Sequence, residues 1–249
     1  MDQEIPIQAP EAPRPLMPWE DRERFPSLGS RALATIGLIL GRPDEAGPAL
    51  AAGTVGPAIA FCALLALPAQ WITQAVVQLS GASQAMQTEA VAFLHLPAMP
   101  EPTAEQLAMQ RIVAWVAVAV FPLTFAVGML VVGALMHAGL WMVRAAARGI
   151  EVTFRTVLYA NGALSWMSLI ITLGVLLPGP VRWITQLIGL AVGLGFFTYQ
   201  GILLAKAHGV ETWRGIVGVF LPVLILGLCI CCCVAMLAGG AAAAAGALH

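Results

Sequence analysis

Apolar residues dominate five stretches of this chain, and polar residues collect in the gaps between them. The stretches lie at about 54–79, 112–143, 156–177, 181–205 and 215–237. Each is long enough to cross roughly 30 Å of hydrocarbon as a helix, which takes about 20 apolar residues. Pro57 and Pro68 in the first and Pro122 in the second predict bends. "PGP" at Pro178 to Pro180 predicts a tight turn between the third and fourth. A polar stretch from Ser80 to Gln110 separates the first two and carries Glu89, Glu101 and Glu105. Within it, "TAEQ" at Thr103 to Gln106 has the spacing of a capping box that starts the next helix.

A shorter pattern precedes the first span. In residues 27–43, Leu28, Ala32, Ile36 and Leu40 recur at near-helical spacing, with Leu33 and Ile39 widening the stripe. The run is too short to span, so an interfacial amphipathic helix is expected, ended by Pro43. Residues 1–26 hold Pro6, Pro10, Pro13, Pro15, Pro18 and Pro26, begin acidic and lack an apolar core. They are expected to be an extended, disordered tail and not a cleaved signal. Residues 239–249 are low in complexity. The expected fold is therefore all-α: a polytopic bundle of five spans within 54–238, preceded by the interfacial helix.

Composition agrees with the pattern. The chain is 59% apolar and 10% charged, with mean hydropathy +0.86; soluble domains carry about 25% charged residues. A net charge of −1 leaves no footprint for nucleic acid. Lysine and arginine fall unevenly. With the amino terminus in the cytoplasm, Arg14, Arg22, Arg24, Arg31, Arg42, Arg144, Arg148, Arg155, Lys206 and Arg214 lie inside, and Arg111 and Arg182 outside. That bias follows the positive-inside rule and puts the carboxyl terminus outside the cell membrane.

Two of the inside turns echo each other. "GIEVTFR" (Gly149 to Arg155) and "GVETWR" (Gly209 to Arg214) each run glycine, branched aliphatic, glutamate, threonine, aromatic, arginine, with one residue inserted in the first. Helix termini account for this order. Glycine ends one helix in a left-handed conformation. Thr153 or Thr212 caps the next, and glutamate sits at its positive end. The other reading makes Glu151, Arg155, Glu211 and Arg214 a surface for a cytoplasmic partner. A catalytic role has no support, because no nucleophile–base pair accompanies them.

The first turn and its flanks, "MHAGLWMVRAAARGIEVTFRTVLYANGALS", resemble the central signature of the Yip-domain family, the Ypt-interacting (Rab-interacting) membrane proteins, in its bacterial branch. "LLAKAHGVETWRGIVGVFLPVLI" is similar to the family's last turn and helix, and "MPWEDRERFPSLGSRALATIGLILGRPDEA" to the amphipathic lead-in of bacterial members. The resemblance implies five transmembrane helices in the bacterial inner membrane, a cytoplasmic amino terminus and, from eukaryotic members, small-GTPase partners and membrane traffic. Those members carry an acidic residue and a tyrosine before Gly-Pro. "GTVGP" here has neither ahead of Gly56 and Pro57, so a GTPase partner is the least transferable part.

The remaining polar groups fit structural roles first. His137, Asn161, Tyr199 and Gln200 fall in or near spans and are expected to hydrogen-bond between helices; a polar solute path is the competing reading. His208 is expected at the turn, near the last carbonyls of the fourth span. Gly189 and Gly193 have GxxxG spacing, suited to close packing within one chain or in a homo-oligomer. "CICCC" places Cys229, Cys232 and Cys233 on one helix face. Without histidine or charge nearby, these thiols are expected to pack as small buried apolar groups, not to hold zinc. No metal, cofactor or catalytic site is expected. Two function classes remain: a non-enzymatic protein acting on the bilayer or a cytoplasmic partner, and a small-solute or ion carrier.

Overall fold

The computed structural model describes residues 15–80, 88, 103–177 and 179–246. The helices are α1 (Leu28–Gly41), α2 (Pro43–Ala52), α3 (Val55–Leu79), α4 (Ala104–Met142), α5 (Ile150–Leu173), α6 (Gly179–His208) and α7 (Thr212–Gly246). No strand occurs among the described residues. Five of the helices, α3 to α7, are long and apolar enough to cross a membrane. The all-α bundle of five candidate spans behind a shorter apolar helix is thus the observed architecture.

Local chemistry sets the boundaries. Thr103 Oγ1 accepts from the Gln106 amide at 3.2 Å, and Gln106 Oε1 accepts from the Thr103 amide at 2.8 Å, so the capping box forms. It starts α4 well before residue 112. Ser27 caps α1 by accepting from the Ser30 amide. Pro43 ends α1 and, at the first turn of α2, begins the next helix, which the hydropathy pattern did not announce.

Prolines inside helices leave carbonyls without an intrahelical donor. Pro122 has no amide for the carbonyl of Val118, four residues earlier, and the Trp71 indole N–H takes it at 2.8 Å. Pro222 likewise frees the carbonyl of Gly218. Gly139 of α4 lies against that oxygen so closely that a Cβ would fall 1.9 Å from it. The α4–α7 and α6–α7 crossings both rest on small residues, the second through Gly201 and Gly215.

Helix α5 is central and touches α1, α2, α3, α4 and α6. The core is concentrated at one end of the bundle. Along α5, Val152 to Ala160 are buried apart from Phe154, which is half-buried, whereas Trp166, Met167, Ile170 and Leu173 are exposed. Along α6, Leu203, Leu204, Ala205, Ala207 and His208 are buried, whereas Val181, Ile184, Leu187, Ile188, Leu190 and Leu194 are exposed. The buried end is covered by residues 15–26, α1 and α2. It also holds the α4–α5 and α6–α7 turns.

Several expectations need correction here. Residues 15–26 are not a loose tail: Met17 is fully buried and Trp19 nearly so, because both insert into the main apolar cluster. Helix α1 seats Thr35, Leu38 and Ile39 on the bundle, while Leu28 and Leu33, counted in its apolar stripe, stay 56% and 72% exposed. Helix α7 continues through Gly246, past the start of the expected low-complexity tail. Residues 1–14, most of the stretch from Ser80 to Gln110 (with Glu89 and Glu101) and Pro178 lie outside the described residues.

Candidate functional site

The two echoing turns meet at the covered end but are built differently. Helix α6 ends in a Schellman motif: the amide of Gly209 donates to Lys206 O and that of Val210 to Ala205 O, with Gly209 at φ +70°. In the first turn the matching role falls to Arg144, at φ 56°, with Arg144 and Ala145 amides donating to Trp141 and Leu140 carbonyls. Gly149, at φ 84°, instead precedes α5 as its cap residue. Neither threonine is a cap. Thr153 lies inside the first turn of α5, and Thr212 is the first residue of α7.

Thr153 has a different task. Its Oγ1 is 2.9 Å from His137 Nδ1 on α4 and 3.0 Å from His208 Nε2 on α6. The Arg148 amide donates to His208 Nδ1 at 3.1 Å. That bond fixes the direction of the chain. With Nδ1 accepting, neutral His208 carries its proton on Nε2 and donates to Thr153, whose hydroxyl then donates to His137 Nδ1. Arg148 also donates through Nη1 to Ala207 O at 3.1 Å. Three helices and a turn are joined by one directed chain, and His208 serves it instead of the last carbonyls of α6.

A second buried group lies two residues further along α5. Arg155 is completely buried, and its Nη2 donates to Glu20 Oε1 at 2.5 Å. Tyr159 Oη donates to the same oxygen at 2.8 Å. Gly53 lies against the guanidinium; a Cβ there would fall 1.7 Å from Nη1. Trp19, Phe61 and Tyr159 form a run of aromatic contacts with centroids 5.3 and 5.1 Å apart. Arg155 is therefore not at the surface: burial beneath residues 15–26 gives it Glu20 as a counter-ion, without which its charge would be costly to hold there. Arg155 Nε and Nη1 have no hydrogen-bond partner among the described residues. The tail's apolar Met17 and Trp19 were the available sequence signal for this dock, since disordered tails are poor in such residues.

The other turn residues stay outside. Glu151 is exposed. Glu211 is exposed, accepts from the Trp213 indole at 2.8 Å and pairs with Arg214 at 3.1 Å. Glu151, Glu211 and Arg214 thus remain available at the surface, without Arg155.

The intramembrane candidates divide. Tyr199 Oη donates to the Ile39 carbonyl, pinning α1 to α6. Asn161 does not bond another helix: its Nδ2 donates to Val157 O on α5 itself at 2.8 Å. Gln200 is buried with neither amide atom partnered among the described residues, contrary to the expected interhelical bond. Gly189 packs on Ile171, where a Cβ would fall 2.7 Å from Cγ2, but among the described residues nothing lies within 4 Å of a Cβ at Gly193. The GxxxG pair is not one packed crossing. Both glycines line a groove of about 490 Å³ together with Asn161 and Tyr199.

Cys229, Cys231 and Cys232 are exposed, not buried, on the apolar surface of α7; the side chain of Cys233 lies outside the described residues. Among the described residues no three His, Cys, Asp or Glu side chains come together in a way that could hold a metal ion.

No protein-family model, curated protein or solved structure matches the chain.

Proposed function

We propose that this chain is a non-enzymatic membrane protein that acts through its covered end, in the manner the Yip resemblance suggests, by organising the bilayer or docking a partner there. The observation that carries the reading is α1, a helix with two apolar faces. One face seats Thr35, Leu38 and Ile39 on the bundle; Leu33 on the opposite face is free, and so is Leu28 at the start of the helix. A helix held against a membrane bundle with free leucines fits an interfacial wedge. The covered end also gathers the excess of arginine, which favours the cytoplasmic face of the cell membrane for it.

Reconstitution into liposomes tests the wedge. The wild-type chain should shift vesicles toward higher curvature in electron micrographs, and Leu28→Ser with Leu33→Ser should abolish the shift while the protein still inserts. Identical vesicles with and without the leucines would overturn it. Affinity capture with Glu151→Ala and Glu211→Ala as controls addresses a cytoplasmic partner, a small GTPase included. A solute or ion carrier is the alternative. A flux assay with Asn161→Leu and Gln200→Leu separates it, since only a carrier loses transport.

A further inference from the structure

The groove between α3, α5 and α6 has a chemistry that the wedge does not use. Its mouth lies where α1 meets the bundle, at Leu40, Tyr199 and Asn161. Helices α5 and α6 run antiparallel, as the Gly174–Thr185 and Gly189–Ile171 contacts show, so Asn161 stands level with Tyr199. From Val181 to Tyr199 the helix covers about 28 Å, close to a full hydrocarbon thickness. With Val181 at one edge of the hydrocarbon, Tyr199 stands near the other. From there to Gly189 the groove descends about 15 Å, the depth of one leaflet.

The two side-chain amides in this groove each have an oxygen and a second N–H to spare. Val157 O can only accept, so Asn161 must turn Nδ2 toward it, which leaves Oδ1 on the other side. Ser168 donates to Ser165 O at 2.5 Å, so its oxygen accepts from Gln70 Nε2 at 2.7 Å, and Gln70 Oε1 is likewise left over. Neither oxygen has a protein donor among the described residues. No lining side chain is charged. A ligand that matches these groups must both donate and accept, and must carry no charge. A phosphate, a carboxylate or an ammonium would bring a charge into hydrocarbon without a counter-charge. A hydroxyl on an apolar chain satisfies both conditions, and the volume lies within the range of small-molecule sites.

We propose that this groove binds one lipid alcohol from the adjoining leaflet, its hydroxyl donating to Asn161 Oδ1 and its chain running past Ser168 toward Ile171. The site is separate from α1's free face and stands or falls apart from the curvature reading.

Photolabelling of the full chain in phosphatidylcholine nanodiscs tests it. Three probes share one diazirine-bearing chain and differ in head group: alcohol, carboxylic acid and phosphocholine. The alcohol should label peptides covering 161–171 and 189–199 in preference to the other two. Gly193→Leu should reduce that labelling to the phosphocholine level, because its side chain enters the groove from a position with open space around it. Asn161→Leu should reduce it about fivefold, the worth of one hydrogen bond. Gly128→Leu on α4, where an added Cβ also meets nothing, should leave it unchanged. Equal groove labelling by all three heads would overturn the proposal, as would labelling indifferent to Gly193→Leu. Thermal unfolding of each variant in detergent confirms that the comparison is between folded proteins.

Discussion

Arg155 shows how far a residue's role depends on what covers it. Beside an apolar span, an arginine in a turn suits the water-facing surface. Here Glu20, brought from 135 residues away, converts it into a buried ion pair. Removing one partner of such a pair costs roughly 3–5 kcal/mol, whereas replacing both with apolar groups of similar shape is often neutral. Glu20→Gln should therefore lower stability by about 3 kcal/mol. Combining Glu20→Leu with Arg155→Met should recover most of that loss. Thermal unfolding in detergent, read as a double-mutant cycle, measures the coupling. Additive losses would mean that the pair does not hold residues 15–26 in place.

At the scale of elements, helix ends and helix breaks are managed by specific groups. Trp71 serves the carbonyl that Pro122 leaves open. Trp71→Phe should cost about 1–3 kcal/mol by leaving that carbonyl unsatisfied. In a Pro122→Ala background the cost should shrink, because an alanine amide restores the helical donor to the Val118 carbonyl. Equal costs in both backgrounds would argue against this coupling. The two left-handed turn positions give opposite expectations. Gly209→Ala should destabilise by about 1–2 kcal/mol, the cost of a side chain in that conformation. Arg144→Gly should relieve the same strain and raise stability, by about 1 kcal/mol or less once glycine's unfolded freedom is counted. Chemical unfolding of the two variants reads both signs.

Across the whole molecule, the lipid-facing and protein-buried parts are segregated along the bundle axis. The exposed leucines and isoleucines of α5 and α6 occupy one portion, and the buried Thr153, Thr156, His208 and Arg155 occupy the other, beneath α1 and α2. With the covered end in the cytoplasm, a cysteine at Glu151 should react with a membrane-impermeant probe only from inside, and one at Glu105 only from outside. Both would be placed on a cysteine-free background in intact cells, and the reverse pattern would invert the charge argument. The sequence by itself determined the spans, because each is a long apolar run and membrane insertion depends on that composition. It also determined the capping box at Thr103, where donor and acceptor lie within three residues of each other. It announced the echo of the two turns. It did not reveal that Gly149 and Gly209 do different work, or that Thr153 bridges His137 and His208, or that Asn161 and Gly193 share a groove. Those roles arise from contacts between residues distant in the chain, and a single sequence lists residues in order without saying which distant ones meet. Only the tertiary structure decided them, by packing α4, α5 and α6 and their turns against one another.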